Sequence, residues 1–251
     1  MQRYFVSQTK EEMSTQVLIT GDDVHHISRV MRMKPMDEII CCSKDGHAAK
    51  CHIENITNEQ VICTVIQWLE IKNELPVHVI IASGLPKGDK LELIIQKGTE
   101  LGASQFIPFN ATRSIVKIDS KKAKKKKERW EKIVKEAAEQ SHRNQIPKVF
   151  EPVSFKEMID IGGHADIKLV AYEESAKQGE TSQLHKALSS LKPGQTIFIV
   201  FGPEGGISED ELNTLEQAGF IPCGLGPRIL RTETAPLYFL SAVSYHFELK
   251  R

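Results

Sequence analysis

Two short stretches late in the chain concentrate the residue types from which a small-molecule pocket is built. Gly202-Pro203-Glu204-Gly205-Gly206 directly follows Thr196 to Phe201 (TIFIVF), the most strand-like stretch of the sequence. Leu225-Gly226-Pro227-Arg228-Ile229-Leu230-Arg231-Thr232-Glu233-Thr234-Ala235 follows a second apolar run that begins at Ile221. In open α/β sheets ligands bind beyond the carboxyl ends of strands, and glycine there lets a ligand approach the backbone and permits positive φ. One such loop also reads as a plain tight turn; a pair of them argues for a pocket. Phosphate chemistry fits poorly. Neither GxxxxGK[ST] nor GxGxxG occurs, Lys87-Gly88-Asp89-Lys90 lacks the glycine spacing, and Glu204 stands where a phosphate would sit. Metal chemistry fits no better. The five cysteines (Cys41, Cys42, Cys51, Cys63, Cys223) contain no CxxC pair, and four lie in strand-like segments among Ile and Val. They read as reduced core side chains, and no metal is expected.

The elements that must position these loops form an alternating series. Val77 to Ser83, Gln105 to Phe109, Ile167 to Tyr172, Thr196 to Phe201 and Ile221 to Leu225 read as strands. Between them, helices open at Asp89 with Glu92, Ser154 with Glu157 and Ser208 with Glu211, each a capping-box spacing. A long polar helix spans about Lys121 to His142 on a narrow stripe of Trp130, Ile133, Val134 and Ala137, and a last helix runs from Pro236 to Glu248. This alternation predicts an α/β domain with a mostly parallel sheet. The first seventy or so residues differ, with short strands at Val17 to Thr20, Glu38 to Cys42, Ala48 to Ile53 and Gln60 to Trp68. Val24 to Met33 has helical spacing, with Val24, Ile27, Val30 and Met31 on one side, and Pro35 stops it. Asp45-Gly46 is a hairpin turn signal. The pattern predicts a small β-barrel over residues 1–72 and an α/β domain over 73–251, with the boundary in the polar, proline-containing stretch Ile71 to Pro76.

Composition excludes little. The 251 residues carry 33 Lys+Arg against 33 Asp+Glu, so net charge gives no sign of a nucleic-acid partner, whereas Lys121 to Lys127, six lysines in seven residues, does so locally. That run reads as a solvated helix face or as a phosphate-contacting patch. The N-terminus has no basic stretch followed by a long apolar core, and no apolar run reaches the length of a membrane span, so a cytoplasmic protein is expected.

FGPEGGIS (Phe201 to Ser208) followed by LGPRILRTETA (Leu225 to Ala235) resembles the paired signature of the SPOUT methyltransferases, and more closely that of the RsmE family, which methylates N3 of a uridine in 16S ribosomal RNA. KGDKLELIIQKGTELGASQFIPF (Lys87 to Phe109), Arg129-Trp130, EAAEQSHR (Glu136 to Arg143), Pro147 and HHISRVMRM (His25 to Met33) match the same family in order and spacing. Met31 stands where the family usually has Leu, and Pro35-Met36-Asp37 where it usually has a glycine before the acid. The resemblance implies a PUA-like barrel followed by an α/β domain with a C-terminal trefoil knot, S-adenosylmethionine (SAM) as cofactor, small-subunit rRNA as substrate and a homodimer.

Carried over, the cofactor pocket comprises Leu169, Val170, Ala171, Tyr172 and Glu173 at one strand end. The two loops add Phe201, Gly202, Pro203, Glu204, Gly205, Gly206, Leu225, Gly226, Ile229, Leu230, Thr234 and Ala235. Arg231 is the expected catalytic cation and Glu233 the expected proton acceptor; the alternative is that the two merely pair with each other. Glu204 either meets the amino end of the cofactor or orders its own loop. His25, His26, Arg29, Arg32, Lys34, Arg113, Lys124, Lys125, Lys126, Arg143 and Arg228 are candidates for RNA. Against this, one of the two histidines reads equally as a packed barrel residue, and Arg113 and Arg143 as structural ion pairs. Two other functions compete: a SPOUT ribose 2′-O-methyltransferase acting on rRNA or tRNA, and a non-catalytic RNA-binding module, which would have no use for the two converging loops.

Overall fold

The computed structural model describes residues 1–14, 16–70, 73–116, 118, 120–173 and 182–250, with the backbone alone at Ser120 and Lys121. Ile71 and Lys72, in the boundary stretch, lie outside the described residues. The chain divides into two compact units, Met1–Glu74 with Ala138–Ile146, and Leu75–Ala137 with Pro147–Arg251.

The first unit is a five-stranded sheet in the order β1-β3-β4-β5-β2, formed by β1 (Arg3–Phe5), β2 (Val17–Thr20), β3 (Glu38–Cys42), β4 (Ala48–Ile56) and β5 (Gln60–Leu69). β1 runs parallel to β3; the other pairs are antiparallel. A short helix, α1 (Lys10–Met13), lies between β1 and β2. Alternate residues of the strands, among them Ile39, Cys41, Cys51, Ile53, Val61 and Cys63, enclose the core with Tyr4 and Ile27. All five cysteines are buried, and none of them forms a disulfide. The stretch expected as one helix over Val24 to Met33 is instead α2 (Asp22–His25) continued by a π-helical turn, His26–Val30, whose Met31 N–H donates five residues back to His26. The wider turn rotates the apolar face, so Val24 and Ile27 are buried while Val30 and Met31 are exposed. The segment Ala138–Ile146 belongs to this unit because two charged side chains tie it there. Arg3 Nη1 donates to Asn144 Oδ1 (2.6 Å) and to the Arg143 carbonyl (3.0 Å), and Glu74 accepts from Arg143 and from the Asn144 N–H (2.8 Å).

In the second unit β6 (His78–Gly84), β7 (Gln105–Asn110), β8 (Lys148–Val149), β9 (Val153–Ser154), β10 (Ile167–Ala171), β11 (Thr196–Phe201) and β12 (Ile221–Cys223) form an all-parallel sheet. Its order is β12-β10-β11-β6-β7-β8, with β9 also pairing β7. Successive side chains of β6 go to opposite faces, as strand geometry requires. Val79 and Ile81 join a core with α3 (Lys90–Glu100), α4 (Ser120–Gln140), α6 (Gln183–Ser190) and α8 (Thr234–Ser244). Ile80 and Ala82 join another with α5 (Phe155–Gly162) and α7 (Glu209–Gln217). Both faces are therefore covered, which is why these strands read as unbroken apolar runs.

The capping boxes at Ser154/Glu157 and Ser208/Glu211 form as their spacing predicts. That at Asp89 does not. Asp89 makes no side-chain cap, and Glu92 pairs instead with Arg129 at 2.6 Å, a partner from α4 that local spacing cannot reveal.

Candidate functional site

At the carboxyl ends of β10, β11 and β12 the second unit opens a cleft of about 570 Å³. Its walls are the two glycine-rich loops, the end of β10 with the residues just after it, and two side chains from elsewhere, Lys90 and Arg113. The sheet dictates the place, because parallel strands put all their carboxyl ends, and the loops leaving them, on one edge.

The first loop is closed by its own backbone. A Cβ at Gly202 would lie 2.7 Å from the Gly206 carbonyl carbon and 2.8 Å from Ile207 N, and Gly206 sits at φ +71°. Only glycine allows that approach and that conformation. The loop is also held from outside: Glu211, 5% exposed, completes its capping box and accepts the Thr112 N–H at 2.7 Å, which fixes the stretch after β7 beside α7. From that stretch Arg113 Nη1 donates to the Gly205 carbonyl at 3.0 Å. Arg113 thus lines the cleft as a brace of the loop, and this engagement competes with the RNA role considered for it.

Of the residues expected at the cofactor, Ala171, Tyr172, Glu173, Phe201 to Gly206, Leu225, Gly226, Ile229, Leu230 and Ala235 line the cleft. Leu169 and Val170 do not; they are fully buried in the sheet core. Thr234 does not line it either, being the first residue of α8. Gly226, at φ +93°, turns the second loop. Ile229 is 71% exposed, an apolar side chain left uncovered at the cleft.

Charge in the cleft is arranged otherwise than the sequence suggests. Arg231 and Arg228 both line it, and neither has a hydrogen-bonding or ion-pair partner for its side chain among the described residues. Glu233, expected either to accept a proton or to pair with Arg231, forms no ion pair with Arg231 among the described residues. It is not part of the cleft wall, and its Oε2 is closed to solvent, 3.5 Å from Lys90 Nζ. Lys90 also donates to Glu204 Oε1 at 2.8 Å, and the Lys87 N–H donates to the same oxygen at 3.1 Å. Burial pushes the Glu204 carboxyl up, but these hydrogen bonds outweigh it and hold the group below the ordinary carboxylate range. The Glu204 hydrogen bond raises Lys90 in turn. Glu204 therefore orders its loop through Lys90. Lys90 and Ile207 also line the cleft; both fall inside the stretches that carry the family resemblance, Lys87 to Phe109 and Phe201 to Ser208, but neither is among the expected cofactor residues.

The RNA candidates separate by exposure. His25, Arg29, Arg32 and Lys34 are exposed on the first unit. His26 is the packed histidine of the pair, its Nδ1 3.0 Å from the Tyr4 hydroxyl and the two rings edge to face. Arg143 is 3% exposed and its guanidinium is committed to Glu74, Nη2 to Oε2 at 2.5 Å, so it is an internal ion pair and is not presented to an RNA. On α4, Lys124 and Lys125 are exposed, while Lys126 is half-buried in a smaller cleft beside Leu91 and Trp130. No group of three or more His, Cys, Asp or Glu residues is placed to hold a metal ion among the described residues, and no described helix is long and apolar enough to cross a membrane.

The sequence matches the RNA methyltransferase domain family over residues 73–244 and the RNA methyltransferase PUA domain family over residues 19–66. It is 57% identical to ribosomal RNA small subunit methyltransferase E of Bacillus subtilis, covering 100% of this chain and 99% of that one. With the Synechocystis protein of the same description it shares 32% identity over 91% of this chain and 72% of its relative. Among solved structures it is similar to the ribosomal RNA small subunit methyltransferase E of Neisseria gonorrhoeae bound to S-adenosylmethionine, with 28% identity, a TM-score of 0.83 and 97% of each chain covered.

Proposed function

The chain belongs to the ribosomal RNA small subunit methyltransferase E family, and from that premise we propose that it uses SAM to methylate N3 of a uridine in 16S ribosomal RNA. The observation that carries the proposal is Arg231, a guanidinium that lines the cleft and is paired with no carboxylate among the described residues. N3 of uridine carries a proton at neutral pH and becomes a good nucleophile only on losing it. The resulting negative charge spreads onto the flanking carbonyl oxygens. A guanidinium free to meet one of them stabilises that anion electrostatically.

The cleft suits the cofactor. Its volume falls within the roughly 300–1,000 Å³ of small-molecule sites. Leu225, Ile229 and Leu230 offer apolar walls for the adenine and the methionine chain, and the bare backbone of both loops offers donors and acceptors. When bound, SAM supplies an electrophilic methyl group. The exposed His25, Arg29, Arg32 and Lys34 of the first unit, with Lys124 and Lys125 of α4, meet the phosphates of the RNA, and Arg228 meets RNA at the cleft.

The reading includes a homodimer in the cytoplasm and a knotted C-terminal segment. Phe239, Leu240 and Val243 of α8 are buried in the unit's own core, whereas the exposed Tyr238, Tyr245 and Leu249 are the side chains of this end of the chain that support the dimer reading. Nucleoside mass spectrometry of 16S RNA treated with the protein and SAM tests the activity. The expected product is 3-methyluridine; a 2′-O-methylated nucleoside, or none, overturns the proposal.

A further inference from the structure

Lys90 is the first residue of α3, where the positive end of the helix dipole makes a cation unwelcome. Two carboxylates offset that. Glu204, from the loop after β11, takes Lys90 Nζ at 2.8 Å, and Glu233, from the loop after β12, lies 3.5 Å from the same atom. The Glu233 side chain is 18% exposed, its Oε2 is closed to solvent, and that oxygen accepts no hydrogen bond among the described residues. A buried carboxylate oxygen without a compensating cation is strongly disfavoured. The Lys90 ammonium is the cation that compensates it. Of the other cations lining the cleft, Arg113 is engaged with the Gly205 carbonyl, and Arg228 and Arg231 pair with no carboxylate among the described residues.

We propose that Lys90 is a positioning residue of the methyl-transfer site: one ammonium, on a third element, ties the two cofactor loops together, with Glu233 as its buried counter-ion and not the proton acceptor. The proposal rests on the reading of the cleft as a SAM site. In consequence Glu233 acts through Lys90 and touches neither RNA nor cofactor. Losing the ammonium leaves the Glu233 carboxylate without its cation and frees the second loop to move.

The test is calorimetric titration of the full-length protein with SAM. Lys90→Met should weaken SAM binding by about tenfold or more, as expected when a buried carboxylate is left unpaired. Lys90→Arg should restore most of the affinity. Lys90→Met combined with Glu233→Gln should bind better than Lys90→Met alone, because the stranded charge is gone. Glu233→Gln alone should weaken SAM binding, but by less than Lys90→Met, because Lys90 keeps its hydrogen bond to Glu204 and no charge is stranded, and it should keep the wild-type rate–pH profile. Unchanged binding in Lys90→Met overturns the proposal. So does a loss that Glu233→Gln does not relieve, which would mean that Lys90 holds the ligand directly. A Glu233→Gln enzyme whose acid limb disappears would return Glu233 to the role of base. If Lys90→Met fails to fold, the Glu233→Gln profile and Lys90→Arg still decide. Wild-type protein that binds no SAM would remove the cofactor reading itself, a different outcome from any of these.

Discussion

Arg113 and Gly205 meet across the mouth of the cleft: the guanidinium donates to the Gly205 carbonyl at 3.0 Å, and a Cβ built on Gly205 would lie 2.9 Å from Arg113 Cβ. The glycine therefore makes room for the arginine that braces its loop. Gly205→Val should displace Arg113, loosen the loop and weaken SAM binding by about tenfold or more, with a stability loss within the 1–3 kcal/mol typical of overpacking. Calorimetry and thermal melting together check this. Undiminished affinity would show that the loop does not depend on the brace.

Arg231 faces the cleft without a carboxylate partner among the described residues. Arg231→Ala should lower turnover by about 10²-fold or more, the range for removing one transition-state donor, while SAM binding persists. Arg231→Lys should recover only part, since the ammonium keeps the charge and loses the planar fork. Near-normal turnover of Arg231→Ala at saturating RNA would remove its role in stabilising the anion.

Glu204 gives a pH dependence whose sign follows from its depressed carboxyl. A group with a lowered folded pKa contributes stability above its unfolded pKa, about 4.3 for glutamate, and loses it as pH falls through the folded value. Its contribution to the loop should be constant from neutrality down to about pH 5 and disappear only in more acid solution. A Glu204→Gln protein should lack that acid-side loss. Identical acid unfolding profiles for the two proteins would contradict it.

Arg143 and Glu74 form the internal ion pair of the first unit, with Glu74 also accepting the N–H groups of Asn144 and Gln145. Glu74→Ala strands a nearly buried guanidinium and should cost about 3 kcal/mol, the low end for a broken buried pair because Glu74 itself is partly exposed. Chemical denaturation monitored on the full chain measures it; a change below about 1 kcal/mol would place the pair among ordinary surface contacts.

RNA binding should follow exposure. Arg29→Ala and Arg32→Ala, both at exposed positions, should each weaken RNA binding and reduce the slope of affinity against salt by about one phosphate contact. An unaltered salt slope in both variants would take this surface out of the RNA path.

What the sequence by itself determined is the set of features governed by near neighbours. Unbroken apolar runs gave away the doubly covered strands β6 and β11, and Ser208 with Glu211 announced the start of α7, because periodicity and capping act over a few residues. The pocket loops were legible for the same reason: glycine at positions 202, 206 and 226 meets a backbone requirement, and their place at strand ends follows from the rhythm of strands and helices. Tertiary structure alone decided which charge faces which. Lys90 reaches Glu204 across 114 residues of chain, and Arg143 finds Glu74 across 69. Glu233 turned to Lys90 although Arg231 stands two residues away, and His26 packed on Tyr4 while its neighbour His25 stayed exposed. A side chain's charge is written in its own residue, but its partner is set by the topology that brings distant segments together. Burial at that meeting point then determines whether the charge serves a ligand or holds the fold.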